Sequence, residues 1–288
     1  MRTLGGLQFW TDQFLHGNWR IQRHALTGGC RLLDGSNVLR GWGTAEDCRA
    51  RFEELRAELK LPALTKTVVV TVHGLVRTRN AMQPMCDYLA QQGEWSGLNF
   101  SYASTRKNVD DHARALQGVI EQLEGVEEVH LVGHSLGNIV IRHCLADRAR
   151  GAEKGARIGR VVMLAPPNQG AAVARVLGKT KLFEWILGGS AHQLGPLWEE
   201  LQERLQTPRD FGVIAGSLLG GKGGNPLISG DDDLLVGVEE TKLSGASDFL
   251  VIPSPHTFIM LQQRVMEATL RFLQQGYFVS EKERVRLG

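Results

Sequence analysis

Val129-His130-Leu131-Val132-Gly133-His134-Ser135-Leu136-Gly137 is the stretch on which the reading turns. An apolar run ends in Gly-x-Ser-x-Gly, and helical periodicity begins at once. A serine on a sharp strand-to-helix turn must hold a strained backbone. Gly133 and Gly137 remove the Cβ atoms that would collide there. Such a turn lifts the Ser135 hydroxyl out of the fold and aims the first N–H groups of the next helix at the same point. The motif alone is frequent by chance. The strand before it and the helix after it give it chemical meaning.

Outward from this stretch the pattern alternates. Thr67-Val68-Val69-Val70-Thr71-Val72 is β-branched almost throughout, as a strand buried on both faces should be, and it ends in His73-Gly74-Leu75. A helix is expected over 80–92, with Met82, Met85, Cys86 and Leu89 on one side and Pro84 confined to its first turn. A strand over 98–102 and a helix over 110–124, with Ala113, Leu116, Ile120 and Leu123 inward, lead to the serine strand. A helix over 136–148 follows it, then strands over 160–164, 211–217 and 249–252. The last helix is expected over 257–275, with Phe258, Leu261, Val265, Met266, Leu270 and Leu273 inward, before a charged, solvated tail. This order argues an α/β fold: a mostly parallel, doubly wound sheet with helices on both faces.

A serine hydroxyl near neutral pH needs a base within hydrogen-bond reach, and the base needs an acid to fix its tautomer. Three histidines follow Ser135: His143, His192 and His256. His143 lies about two turns down the same helix and points away. His192 sits beside the pliable Gly188-Gly189. His256 comes between the last strand and the last helix, where the base belongs, and His134 is an elbow residue rather than a base. The acid should follow the preceding strand, where Asp231-Asp232-Asp233 lies. Asp233 precedes the apolar anchor Leu234-Leu235-Val236 and is the first choice; Asp232 is the second, and Asp248 an outsider. A tetrahedral oxyanion calls for two backbone N–H groups, assigned to Leu136 after the serine and Leu75 after the first strand, with His73 as a buttress.

The ends of this unit are less regular. Residues 1–65 read as an N-terminal extension. Phe9, Trp10, Phe14 and Trp19 recur at roughly helical spacing. Strands over 19–26, 30–33 and 38–42 then form a small antiparallel meander, and a helix capped by Thr44 runs to about residue 60. Either the segment extends one edge of the main sheet and buries its aromatics, or the aromatics lie at the active-site mouth. Residues 168–208 break the alternation with two apolar helical pieces. They are either outer helices over the sheet or a helical cap over the site, and both readings stand.

Composition bounds the rest. A net charge of +2 excludes the basic footprint of a nucleic-acid binder. Four dispersed cysteines without a C-x-x-C pair read as reduced thiols, so no metal site is expected, and the chemistry calls for no cofactor. No apolar run is long enough to span a bilayer, and Met1 to Asn18 lacks the continuous apolar core of a signal peptide. A cytoplasmic location is the expectation, with membrane-surface contact left open and oligomeric state undetermined.

The motifs together carry a resemblance. His73-Gly74-Leu75, Gly133-His134-Ser135-Leu136-Gly137, Asp233-Leu234-Leu235-Val236 and Pro255-His256-Thr257 fall in the order of bacterial triacylglycerol lipase-like α/β hydrolases. Leu164-Ala165-Pro166-Pro167-Asn168-Gln169-Gly170 also resembles their loop after the next strand. The resemblance covers roughly 66–275. It implies the α/β-hydrolase fold for 66–288 and serine esterase or lipase chemistry on an ester substrate. Many relatives have glycine directly after the acid, where this chain has Leu234. The same three residues could serve an acyltransferase, a thioesterase or an amidase. From another class, the scaffold could be a binding module that has lost catalysis.

Overall fold

The glycine-punctuated stretch before residue 66 and the β-branched runs beyond it fold into separate sheets. In this computed structural model, which describes residues 8–151, 154–172, 190, 193–195, 197–218 and 223–288, four antiparallel strands come first. They are β1 (Trp10–His16), β2 (Trp19–His24), β3 (Cys30–Leu33) and β4 (Leu39–Gly43), paired in chain order. Helix α1 (Ala45–Glu58) packs on them. Its start is fixed by a capping box: Thr44 Oγ1 accepts from Asp47 N at 3.1 Å, and the Asp47 carboxylate accepts from Thr44 N at 2.9 Å. Phe14, Ile21, Leu32, Phe52 and Leu55 close a small core between the sheet and the helix.

The aromatic start is therefore a strand, and the meander has four strands, not three. It does not extend the main sheet. It stands against that sheet's edge, where Asp12 N donates to Ser101 O at 2.9 Å and Asp12 Oδ2 accepts from Ser101 N at 2.7 Å.

The main sheet has six parallel strands: β5 (Thr67–Val72), β6 (Ser96–Phe100), β7 (Glu128–His134), β8 (Arg157–Leu164), β9 (Phe211–Ser217) and β10 (Asp248–Pro253). Their order is β10-β9-β8-β7-β5-β6. Among the described residues, the helices that follow these strands are α2 (Gln83–Gly93), α3 (Val109–Glu121), α4 (Leu136–Arg150), the short α5 (Trp198–Gln202) and α6 (Val238–Thr241), and α7 (Gln263–Gln275). Leu116, Val119 and Ile120 of α3 join Ile139 and Val140 of α4 in the core on one face. Met85 and Leu89 of α2 join Val265 and Phe272 of α7 on the other. This is the doubly wound arrangement the alternation implies.

The last helix starts later than its periodicity implies. His256–Leu261 is a 3₁₀ turn, Gln262 is extended, and only then does α7 begin. Phe258 and Leu261, expected inward, are 55% and 44% exposed. The C-terminal tail is tied down rather than free: Val285 N donates to Asp248 Oδ1, and Leu287 N to Ala246 O. About half of the 168–208 stretch read as outer helices or a cap, namely 173–189, 191–192 with His192, and 196, lies outside the described residues. Leu194, Trp198 and Leu201, at its described end, are buried in the α3–α4 face of the core. No helix among the described residues is long and apolar enough to cross a membrane.

Candidate active site

The strand order reverses between β5 and β7: the chain leaves β5 toward β6 on one side and returns to β7 on the other. In open parallel sheets this reversal opens a crevice beyond the carboxyl ends of the strands. His73-Gly74-Leu75 and the turn at Ser135 both lie there.

Ser135 joins β7 to α4 with φ 52° and ψ −123°, a backbone conformation costly for any side chain. The glycines around it have separate steric reasons. A Cβ on Gly137 would run into the Val72 and His73 carbonyl oxygens, and one on Gly133 into the Asn138 side chain. The elbow is held from both sides. Ser135 N donates to Leu164 O at 2.9 Å, and Asn138 Nδ2 donates to both Ser135 O and Leu164 O at 3.1 Å. Asn138 carries no catalytic signature in the sequence, yet it clamps the turn to β8.

Gly74 brings the loop after β5 onto this elbow: a Cβ there would lie 3.0 Å from His134 Nδ1 and 3.1 Å from Ser135 Cβ. The N–H groups of Leu75 and Leu136 have no acceptor among the described residues. The loop itself is wired in place. Arg77 N donates to Gly74 O at 3.3 Å, His73 Nδ1 bonds Gly74 O at 2.8 Å, and Val76 N donates to Ser104 Oγ at 3.1 Å. Gln8, just ahead of β1, reaches the same loop: its Nε2 donates to Arg77 O at 2.6 Å and its Oε1 accepts from Ser104 Oγ at 2.9 Å. The extension thus reaches the β5 loop through the side chain of a glutamine.

Asp233 and His256 meet across the ends of β9 and β10. His256 Nδ1 and Asp233 Oδ2 are 2.7 Å apart, and His256 N donates to Asp233 O at 2.9 Å. A proton on Nδ1 shared with the carboxylate leaves Nε2 with its lone pair free. The other carboxylate oxygen accepts from Leu235 N and Val236 N at 3.0 and 2.8 Å, so the side chain is fixed. Gly216 in β9 makes room for it, since a Cβ there would lie 2.8 Å from Asp233 Cβ. The other two aspartates are engaged elsewhere. Asp232 accepts from Gly224 N, Asn225 N and Leu234 N, and Asp231 accepts from Ser217 Oγ. Asp248 holds the tail.

His134 links the two halves of the site. Its Nε2 donates to His256 O at 3.0 Å, and the rings sit 4.9 Å apart. Burial, and then the nearby His256, hold its pKa well below the ordinary histidine value, so it stays neutral. His73 is likewise buried, stacked 4.3 Å from Tyr102, and pushed down to about 4 by burial. His143 faces away, bonded to Asp147 at 3.1 Å. Among the described residues no hydrogen bond joins Ser135 Oγ to His256 Nε2. No described cluster of three or more His, Cys, Asp or Glu is arranged to hold a metal ion.

No protein-family model matches the chain, and no curated protein sequence matches it. Solved structures do. Phospholipase PlaB from Legionella pneumophila shares 20% identity over 73% of this chain and 60% of its own, with a TM-score of 0.56. Mature lipase BlEst2 from Bacillus licheniformis shares 18% identity over 74% of this chain and 91% of its own, with a TM-score of 0.51. Lipase B from Aspergillus fumigatus shares 13% identity over 75% of this chain and 54% of its own, also with a TM-score of 0.51. The chain thus spans 60% of the phospholipase's length. At these identities the likeness shows the fold alone, and that fold is the α/β-hydrolase fold.

Proposed function

We propose that the chain hydrolyses carboxylic esters through an acyl-enzyme on Ser135. The buried His256–Asp233 pair, at the same end of the sheet as the strained serine, is the observation that carries the reading. Ser135 Oγ attacks the ester carbonyl while His256 Nε2 takes its proton, and Asp233 orients and stabilises the imidazolium that forms. The N–H groups of Leu75 and Leu136 hold the oxyanion. The imidazolium returns the proton to the leaving alcohol. A water molecule, deprotonated by the same nitrogen, then releases the carboxylate and restores the serine. We take 66–288 as the catalytic unit and the extension of 1–65 as a brace for its edge and for the loop carrying Leu75.

Hydrolysis of p-nitrophenyl esters of increasing acyl length tests this. The wild type turns them over, and Ser135→Ala loses at least about 10³-fold in kcat. A folded wild type without activity on any length, or a Ser135→Ala variant as active as the wild type, contradicts it.

A further inference from the structure

Among the described residues, seven that are not glycine hold a positive φ: Asn37, Lys60, Val76, Glu94, Ser135, Ala165 and Leu234. Asparagine tolerates this region, Lys60 and Glu94 stand at the ends of α1 and α2, and Ala165 is buried with its N–H donating to Ile214 O. Val76 (φ 60°) and Leu234 (φ 86°) are different. A β-branched residue is badly suited to a left-handed backbone, and leucine has no local hydrogen bond to offer in return. Glycine would hold either position without strain.

Nothing in the backbone requires these side chains. Val76 N donates to Ser104 Oγ at 3.1 Å. Leu234 N donates to Asp232 Oδ1 at 2.8 Å, and Leu234 O accepts from Asn225 Nδ2 at 2.7 Å. Glycine would make the same bonds. Core packing requires them little: Val76 is 51% exposed and Leu234 is 43% exposed, resting on Gly224. Position is what they share. Val76 directly follows Leu75, and Leu234 directly follows Asp233. Phe258, 55% exposed, stands two residues beyond His256. Strained residues that are neither buried nor needed for hydrogen bonding persist where the side chain has work in solution.

We infer that Val76 and Leu234 are substrate-contacting, specificity-determining residues that cover the apolar acyl group of the ester. The inference rests on the ester-hydrolase reading. An apolar acyl chain laid over a half-exposed leucine or valine removes surface of both from water, and a short acyl group gains none of this.

The test compares kcat/KM for p-nitrophenyl octanoate and p-nitrophenyl acetate in the wild type, Val76→Gly, Leu234→Gly and Leu234→Met, with thermal melting of each. The octanoate-to-acetate ratio should fall about 5–10-fold in each glycine variant and be kept in Leu234→Met. The melting temperatures of the glycine variants should hold or rise, because the strain is relieved. An unchanged ratio in both glycine variants overturns the inference while leaving the hydrolase reading intact. So does an equal loss on both esters with a large drop in melting temperature, which would mark the side chains as structural. A folded wild type that cleaves neither ester overturns the hydrolase reading and the inference together.

Discussion

Asp232 and Asp233 are both fully buried, and their carboxylates serve different ends. Asp232 satisfies three backbone N–H groups and so shapes the loop; Asp233 gives one oxygen to His256. Asp233→Asn should therefore lower kcat by about 10²–10⁴-fold with little change in melting. Asp232→Asn should leave chemistry largely intact and cost about 2–3 kcal/mol of stability, since an amide cannot accept three bonds through one oxygen as well as a carboxylate does through two. Kinetics and urea denaturation of the two variants separate these outcomes, and the reverse pattern would make Asp232 the acid. Residue order and elimination name Ser135, His256 and the aspartate run as candidates, and the structure pairs His256 with Asp233. Within the run the sequence ranks Asp233 first only through the apolar anchor after it; what separates the two carboxylates physically is which backbone N–H groups the loop aims at each. Asn138 and Gln8 were silent for the same reason: their roles are hydrogen bonds to backbone far away in sequence.

At the scale of elements, the main sheet was legible because strands buried on both faces need continuous β-branched runs, and those runs are conspicuous. Two misreadings have definite causes. Trp10 and Phe14 are spaced by four, which fits one face of a helix and one face of a strand equally well. Phe258 and Leu261 are spaced by three, which aligns them in a 3₁₀ turn as in a helix; the extended Gln262 then breaks the phase with α7 and leaves them outward. The extension is nonetheless a packed element, centred on Phe52, which is fully buried against Phe14 at 4.9 Å between ring centroids. Phe52→Ala should cost about 3–5 kcal/mol, read as a lower urea midpoint. A shift within about 0.5 kcal/mol would mean that the four-stranded sheet and α1 do not form this core.

For the whole molecule, the buried histidines set an acid limit. Burial pushes His73 down to about 4 and His112 to about 3, from an ordinary value near 6.5. Between those values the unfolded chain binds protons that the folded chain refuses, so stability is complete above about 6.5 and falls as the pH drops toward 4. His73 alone accounts for a loss on the order of 3 kcal/mol over that window. Asp12, raised above 3.8 chiefly by its burial, acts with the opposite sign at the acid end. Urea midpoints from pH 7.5 to 4.5 should decline steadily, and a flat profile would place these histidines in water. The central claim is that the fold activates Ser135 through His256 and Asp233. A fluorophosphonate tests it most directly, with the modified peptide identified by mass. The account predicts one adduct, on Ser135, absent from Ser135→Ala and slowed by orders of magnitude in His256→Ala. A folded wild type that takes no label, or an adduct that survives Ser135→Ala, would contradict it.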